Sequence, residues 1–175
     1  MQTHPFISEK EIDELNTKLA KAISADYQKI LQPKETLLVV ITLKGALLFG
    51  ADLVRKLTIP THIDFVRLAS YGSGTKSSGE VRFLKDIESS PEGKHILVLD
   101  EIIDSGRTWD FLKKRIGAAS PKSLKICALL SKPSRREIEV TIDYLGREVE
   151  DKFLIGYGLD FNEDYRNLKE ISYLE

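Results

Sequence analysis

A doubly wound, mostly parallel sheet flanked by helices is the α/β fold that three features of this 175-residue chain predict. Apolar runs at 37–41, 95–99 and 124–130 are short and continuous, as strands covered on both faces require. Stretches of helical character, 46–57 and 108–116, lie between them. Turns bearing glycine, Lys44-Gly45 and Ser105-Gly106, follow two of the runs, where open α/β sheets bind ligands.

The elements follow in order. Ser8 and Glu11 form a capping box, and Ile12, Leu15, Leu19, Ala22 and Ile23 recur at helical spacing, so an amphipathic helix opens the chain. After the strand 37–41 and the crossover helix 46–57, Ile59-Pro60 breaks the pattern and 63–68 resumes as a strand. Residues 70–79 (SYGSGTKSSG) are small and polar, which predicts a mobile loop closed by a strand at 81–87. A turn through Ser89, Ser90, Pro91 and Gly93 leads to the buried strand 95–99. The helix 108–116 and the strand 124–130 come next, and Lys132-Pro133-Ser134 ends that strand. Short strands are expected within 140–149 and 152–159, and a helical turn at 162–168. This describes one domain over 1–175, with a core from about 35 to 135 and a small hood from the segments 1–34 and 136–175.

Composition narrows the function. A hydrophobic content of 42% suffices for one core, so a folded domain is expected rather than a disordered chain. The net charge of -1, from 26 basic and 27 acidic residues, provides no global field for nucleic acid or an anionic membrane. Any anion must be held locally. The single cysteine, Cys127, sits in an apolar run and reads as a buried small hydrophobe in a reducing compartment. No signal peptide pattern occupies residues 1–10 and no apolar run reaches membrane-span length, so the expected location is cytoplasmic. His4, His62 and His95 are scattered and form no zinc-ligand pattern.

The chemistry concentrates in residues 100–108 (DEIIDSGRT), directly after a buried strand. Gly106 permits close backbone approach, while Ser105, Thr108 and the N–H groups of a helix start can cradle a phosphate monoester. Asp100 and Glu101 precede the turn, where carboxylates accept hydrogen bonds from sugar hydroxyls or support a divalent cation. The implied ligand is a phosphorylated sugar. A lone Ser-Gly pair would only cap a helix, and no G-x-x-x-x-G-K-[ST] string occurs.

The segment 97–108 (LVLDEIIDSGRT) resembles the phosphoribosyl-pyrophosphate motif of the type I phosphoribosyltransferases. TLKGALLF, SYGSGT, LLSKPSRR and DKFLIGYGLDFNEDYRNL extend the resemblance, over about residues 35–170, to the hypoxanthine-guanine phosphoribosyltransferase family. The resemblance implies a purine-salvage enzyme that uses Mg2+. It would join hypoxanthine or guanine to phosphoribosyl pyrophosphate, giving IMP or GMP and pyrophosphate, as a homodimer or homotetramer without nucleic acid or membrane. A xanthine-preferring enzyme and a non-catalytic regulator on the same fold are the alternatives.

Roles carry over by position. Asp104 matches the acid near the purine N7 that accepts a proton, and Asp104, Ser105, Gly106, Arg107 and Thr108 match the 5′-phosphate cradle. Asp100 and Glu101 match the ribose-binding pair, although the family usually has Glu first, and with Asp160 they would support the metal directly or through water. Lys44 and Gly45 match a pyrophosphate loop with an often cis peptide, and Arg166 matches an arginine that approaches pyrophosphate. Ile102 and Phe153 would hold the purine between them, Leu154 would offer main-chain atoms, and Asp160 would lie near the guanine amino group. Lys132, a donor only, would select the 6-oxo group. Ser70 and Tyr71 match a closing lid.

Overall fold

The structure, a computed structural model, describes residues 2–71 and 80–175. Thirteen short elements alternate as expected in the middle of the chain: β1 (Thr3–Ile7), α1 (Glu9–Ile30), β2 (Leu37–Leu43), α2 (Leu47–Val54), β3 (Thr61–Tyr71), β4 (Glu80–Lys85), β5 (His95–Ile103), α3 (Arg107–Gly117), β6 (Ser123–Ser131), a 3-10 turn (Pro133–Arg135), β7 (Tyr144–Glu148), β8 (Phe153–Ile155) and β9 (Ile171–Leu174). A six-stranded sheet has the order β4-β3-β2-β5-β6-β7. All its pairings are parallel except β3 with β4.

The continuous apolar runs are explained by burial on both faces. Leu37, Val39, Ile41, Leu97, Leu99, Cys127 and Leu129 point to one face, with Ile12, Leu19 and Ile23 of α1 and Phe49 and Leu53 of α2. Leu38, Val40, Ile96, Val98, Ile126 and Ala128 point to the other, against Trp109, Leu112 and Ile116 of α3. Cys127 is fully buried, and burial pushes its thiol well above the ordinary range. The capping box at α1 is formed, with Ser8 Oγ accepting from the Glu11 N–H and Glu11 Oε2 accepting from the Ser8 N–H at 2.9 Å. Its buried stripe takes Ala20 rather than Ala22, and it includes two polar residues, Asn16 and Ser24.

Three local expectations change. The strand predicted at 95–99 continues to Ile103, because the nine-residue β6 keeps pairing as far as Ile103 with Ser131. No helix forms at 162–168; instead successive turns run through left-handed Asn162, Glu163 and Tyr165. The termini contribute an antiparallel sheet of order β1-β9-β8, whereas α1 and β7, expected in the hood, pack on or extend the main sheet. The lid residues Ser70 and Tyr71 end β3, but their side chains and residues 72–79 lie outside the described residues.

From β2 the chain winds outward to β3 on one side, and from β5 to β6 and β7 on the other. The order therefore reverses between β2 and β5, and a crevice is left beyond their carboxyl ends.

Candidate active site

That crevice is a cavity of about 360 Å³. It gathers Lys44, Gly45, Asp100, Glu101, Ile102, Thr108, Asp160 and Arg166, which the sequence assigns to four different ligand parts: the 5′-phosphate, the ribose, the pyrophosphate and the purine. Thr42, Arg67, Leu68 and Glu163, not singled out before, also line it. Arg67 had a signal, an arginine near the end of a predicted strand, and register places it beside Leu43. Glu163 had none, since its placement comes from the turns around it.

Asp100 and Glu101 are half-buried residues of β5 itself, held where the strand emerges from the core. The Thr42 hydroxyl lies 2.8 Å from Asp100 Oδ1 and 3.0 Å from the Leu99 carbonyl, so β2 and β5 share one hydroxyl hydrogen at their ends. Burial pushes Asp100 above the usual carboxylate range. Burial and then the Asp100 charge push Glu101 well above it. Two crowded acids of this kind suit a partner that supplies hydroxyl donors or positive charge.

Opposite them, the loop after β2 meets the segment before β9. The loop's cis peptide joins Leu43 to Lys44, one bond before the Lys44-Gly45 link. A Cβ at Gly45 would overlap the Glu101 carboxylate, and one at Gly158 would overlap the Gly45 carbonyl oxygen. Three layers of chain are thus in direct contact at this corner. Arg166 donates to the Gly158 carbonyl at 2.7 Å and pairs with Asp160 at 2.8 Å. Lys44 pairs with Glu163 at 2.7 Å. Both Asp160 oxygens are engaged, the second by the Glu163 N–H at 2.9 Å.

The phosphate-cradle residues form the tight turn from β5 into α3. Gly106 caps α3 with φ 87°, and a Cβ there would overlap the Ile138 carbonyl oxygen. The N–H groups of Glu137 and Ile138 both donate to the Ser105 carbonyl at 3.0 Å, which clamps the turn from outside. Thr108 reaches the cavity. The Arg107 guanidinium is engaged by Glu137, at 2.7 Å through Nε, and its backbone opens α3.

Of the residues assigned to the base, Ile102 and Asp160 line the cavity, whereas Lys132, Phe153 and Leu154 are not among its lining residues. Lys132 is 6% exposed, donates to the Lys152 carbonyl at 2.6 Å, and is lowered from its ordinary pKa by burial. Phe153 is 51% exposed and meets Phe161 edge-on with ring centroids 5.6 Å apart. Leu154 is buried in β8. Arg135 bridges Asp104 and Asp151, each at 3.5 Å, a link the sequence reading did not foresee.

A family model of the phosphoribosyl transferase domain matches residues 8–162. The chain is 42% identical over 170 residues to the hypoxanthine-guanine phosphoribosyltransferase of Bacillus subtilis, covering 97% of this chain and 92% of that protein. It is 39% identical over 163 residues to the hypoxanthine phosphoribosyltransferase of Haemophilus influenzae, covering 93% and 90%. A crystal structure of a hypoxanthine-guanine phosphoribosyltransferase from Bacillus anthracis is similar with a TM-score of 0.89 at 40% identity, over 98% of both chains.

Proposed function

Since the chain belongs to the phosphoribosyl transferase family, we propose that it is a purine-salvage transferase acting on phosphoribosyl pyrophosphate and hypoxanthine or guanine. Its products are IMP or GMP and pyrophosphate. One observation carries this: a single cavity brings the acids Asp100 and Glu101, the loop residue Thr108 and the ion-paired corner of Lys44 and Arg166 together. The similar proteins bear hypoxanthine and hypoxanthine-guanine phosphoribosyltransferase names, which favours neither a xanthine-preferring enzyme nor a regulator.

Each part of the site has a task in that reaction. The turn 104–108 and the start of α3 hold the 5′-phosphate with backbone donors. Asp100 and Glu101 accept from the ribose hydroxyls and orient the anomeric carbon. Lys44, the Gly45 backbone and Arg166 offset the charge that develops on the leaving pyrophosphate. Ile102 and Phe153 stack the purine, Lys132 donates to its 6-oxo group, and Leu154 and Asp160 bound the edge where guanine carries its amino group. Asp104, steered by Arg135, accepts the proton that the base loses on attack. Closure of the lid that carries Ser70 and Tyr71 would exclude water from the reacting carbon.

A divalent cation, and Mg2+ in particular, fits this donor set. Among the described residues no cluster of three or more metal-ligating side chains exists. Mg2+ is commonly held by one or two carboxylates together with substrate phosphates, and Asp100, Glu101 and Asp160 line the cavity where those phosphates would lie. When bound, it would neutralise leaving-group charge.

Among the described residues no helix is long and apolar enough to cross a membrane. Cytoplasmic location and assembly as a homodimer or homotetramer belong to the same proposal, the latter to be read by analytical ultracentrifugation. The decisive experiment is monophosphate formation from phosphoribosyl pyrophosphate with hypoxanthine, guanine, xanthine or adenine, with and without Mg2+. Turnover of the first two only when Mg2+ is present is expected. Binding of phosphoribosyl pyrophosphate without pyrophosphate release from any base would overturn the assignment.

A further inference from the structure

Tyr157 lies three residues before Asp160, and its hydroxyl is fastened to two helices. It accepts from Asn16 Nδ2 of α1 at 2.8 Å and donates to Asp52 Oδ2 of α2 at 2.8 Å. Burial, and then the Asp52 carboxylate, push the phenol above its ordinary range, so it remains a donor. Asn16 is 1% exposed and its Oδ1 has no partner among the described residues. A polar residue so placed on the buried stripe of α1 needs an explanation, and the bond to Tyr157 is the one it makes.

The backbone around Tyr157 connects this junction to the site. Its own φ is 50°, and its N–H donates to the Leu168 carbonyl at 2.9 Å. The Gly158 N–H donates to the Arg166 carbonyl at 3.0 Å, while Arg166 returns a bond to the Gly158 carbonyl. Gly158 packs directly on the Gly45 carbonyl, and α2, which carries Asp52, begins two residues after Gly45. One hydroxyl therefore ties together the two walls of the corner, the loop at Lys44-Gly45 and the segment bearing Asp160 and Arg166.

We propose that Tyr157, held by Asp52 and Asn16, is a positioning residue that sets the gap between the Gly45 backbone and Arg166, and with it the affinity for the pyrophosphate group. The inference rests on reading that corner as the leaving-group site. Tyr157 does not touch substrate; it acts through the separation of the two walls.

The test is Tyr157→Phe, which removes the hydroxyl and keeps the ring. Calorimetric Kd for pyrophosphate with Mg2+ and KM for phosphoribosyl pyrophosphate should rise together by about tenfold, while KM for hypoxanthine stays within about twofold. Asp52→Asn keeps an acceptor and should remain close to wild type, whereas Asp52→Leu should reproduce Tyr157→Phe. The double variant Asp52→Leu, Tyr157→Phe should be no worse than Tyr157→Phe alone, because loss of the hydroxyl already removes the bond to Asp52 along with the one from Asn16. Asp52→Leu serves alone if Tyr157→Phe does not fold. Unchanged pyrophosphate affinity in the variants, or an equal rise in both KM values, would overturn the role. A wild-type protein that turns over substrate yet binds no pyrophosphate with Mg2+ would overturn the assignment of the corner, and the strut with it.

Discussion

Gly45→Ala should disable catalysis while sparing the fold, because of what the new methyl would meet. It would overlap Oε1 and the carboxyl carbon of Glu101 and lie 2.9 Å from Oε2. Gly45 has no positive φ, so alanine costs the backbone little. The obstacle is the far end of a half-buried side chain, which can retreat. Ordinary contact requires the carboxylate to withdraw by about 1.5 Å, at an off-rotamer cost of about 1 kcal/mol. For a domain of this size that corresponds to a fall in Tm of about 2–4 °C. The same displacement takes Glu101 out of hydrogen-bond range of a ligand, and errors of this size near reacting atoms cost about 10²-fold. Steady-state kinetics should therefore show kcat/KM for phosphoribosyl pyrophosphate lower by about 10²-fold, roughly 2.7 kcal/mol in transition-state terms. Gly158→Ala is the contrast, since its methyl would overlap the Gly45 carbonyl oxygen at a backbone position with φ 98°. Neither side can yield, and differential scanning fluorimetry should show a loss of about 3 kcal/mol or more. Near wild-type kcat/KM for Gly45→Ala, or a Tm as low as that of Gly158→Ala, would refute the reasoning.

Asp104→Asn should lower kcat by about 10²-fold or more with little change in Kd for phosphoribosyl pyrophosphate, by single-turnover kinetics and calorimetry. Because Asp104 and Arg135 are both half exposed, that substitution should alter stability by less than about 0.5 kcal/mol in a urea titration. Lys132→Met removes the donor and should cost hypoxanthine and guanine about 10–10²-fold in kcat/KM, with no comparable loss in any residual adenine rate. The acid pair predicts a pH effect on the ligand-free, metal-free protein. Both acids bind protons more tightly folded than unfolded, so their contribution is full below the ordinary carboxyl values of 3.8 and 4.5 and is lost as pH rises through the raised ones. Asp100→Asn should thus gain Tm over wild type from pH 5 to pH 8, and a constant difference across that range would contradict the coupling.

The elements legible in the sequence were those whose environment is uniform along their length. Leu37 to Ile41 is buried on both sides at every residue, so hydrophobicity alone marks it. β1 and β9 were missed because they are short and pair across almost the whole chain, Thr3 with Leu174, with no local pattern to mark the ladder. The candidate site residues were proposed from motifs, which carry no information on their arrangement. Lys132 and Asp104 were named as residues apart, whereas Arg135 and Asp151 join their surroundings through contacts that depend on where β6 ends.

Local preference is overruled at the positions that build the cavity. Asp and Glu are poor strand residues, yet Asp100 and Glu101 are held in β5 by the ladder to β6 and by Thr42, in a setting that raises both pKa values. Glu163 is left-handed, and Asp160 fixes it there by accepting its N–H, at the cost of the helical turn that 162–168 would otherwise suggest. Such departures weaken an unliganded fold, and natural chains concentrate them at functional sites. A ligand that brings hydroxyl donors to the acids and anionic oxygens to Lys44 and Arg166 reverses the imbalance on both walls at once. Phosphoribosyl pyrophosphate with Mg2+ should therefore raise Tm more than the purine base does at equal saturation.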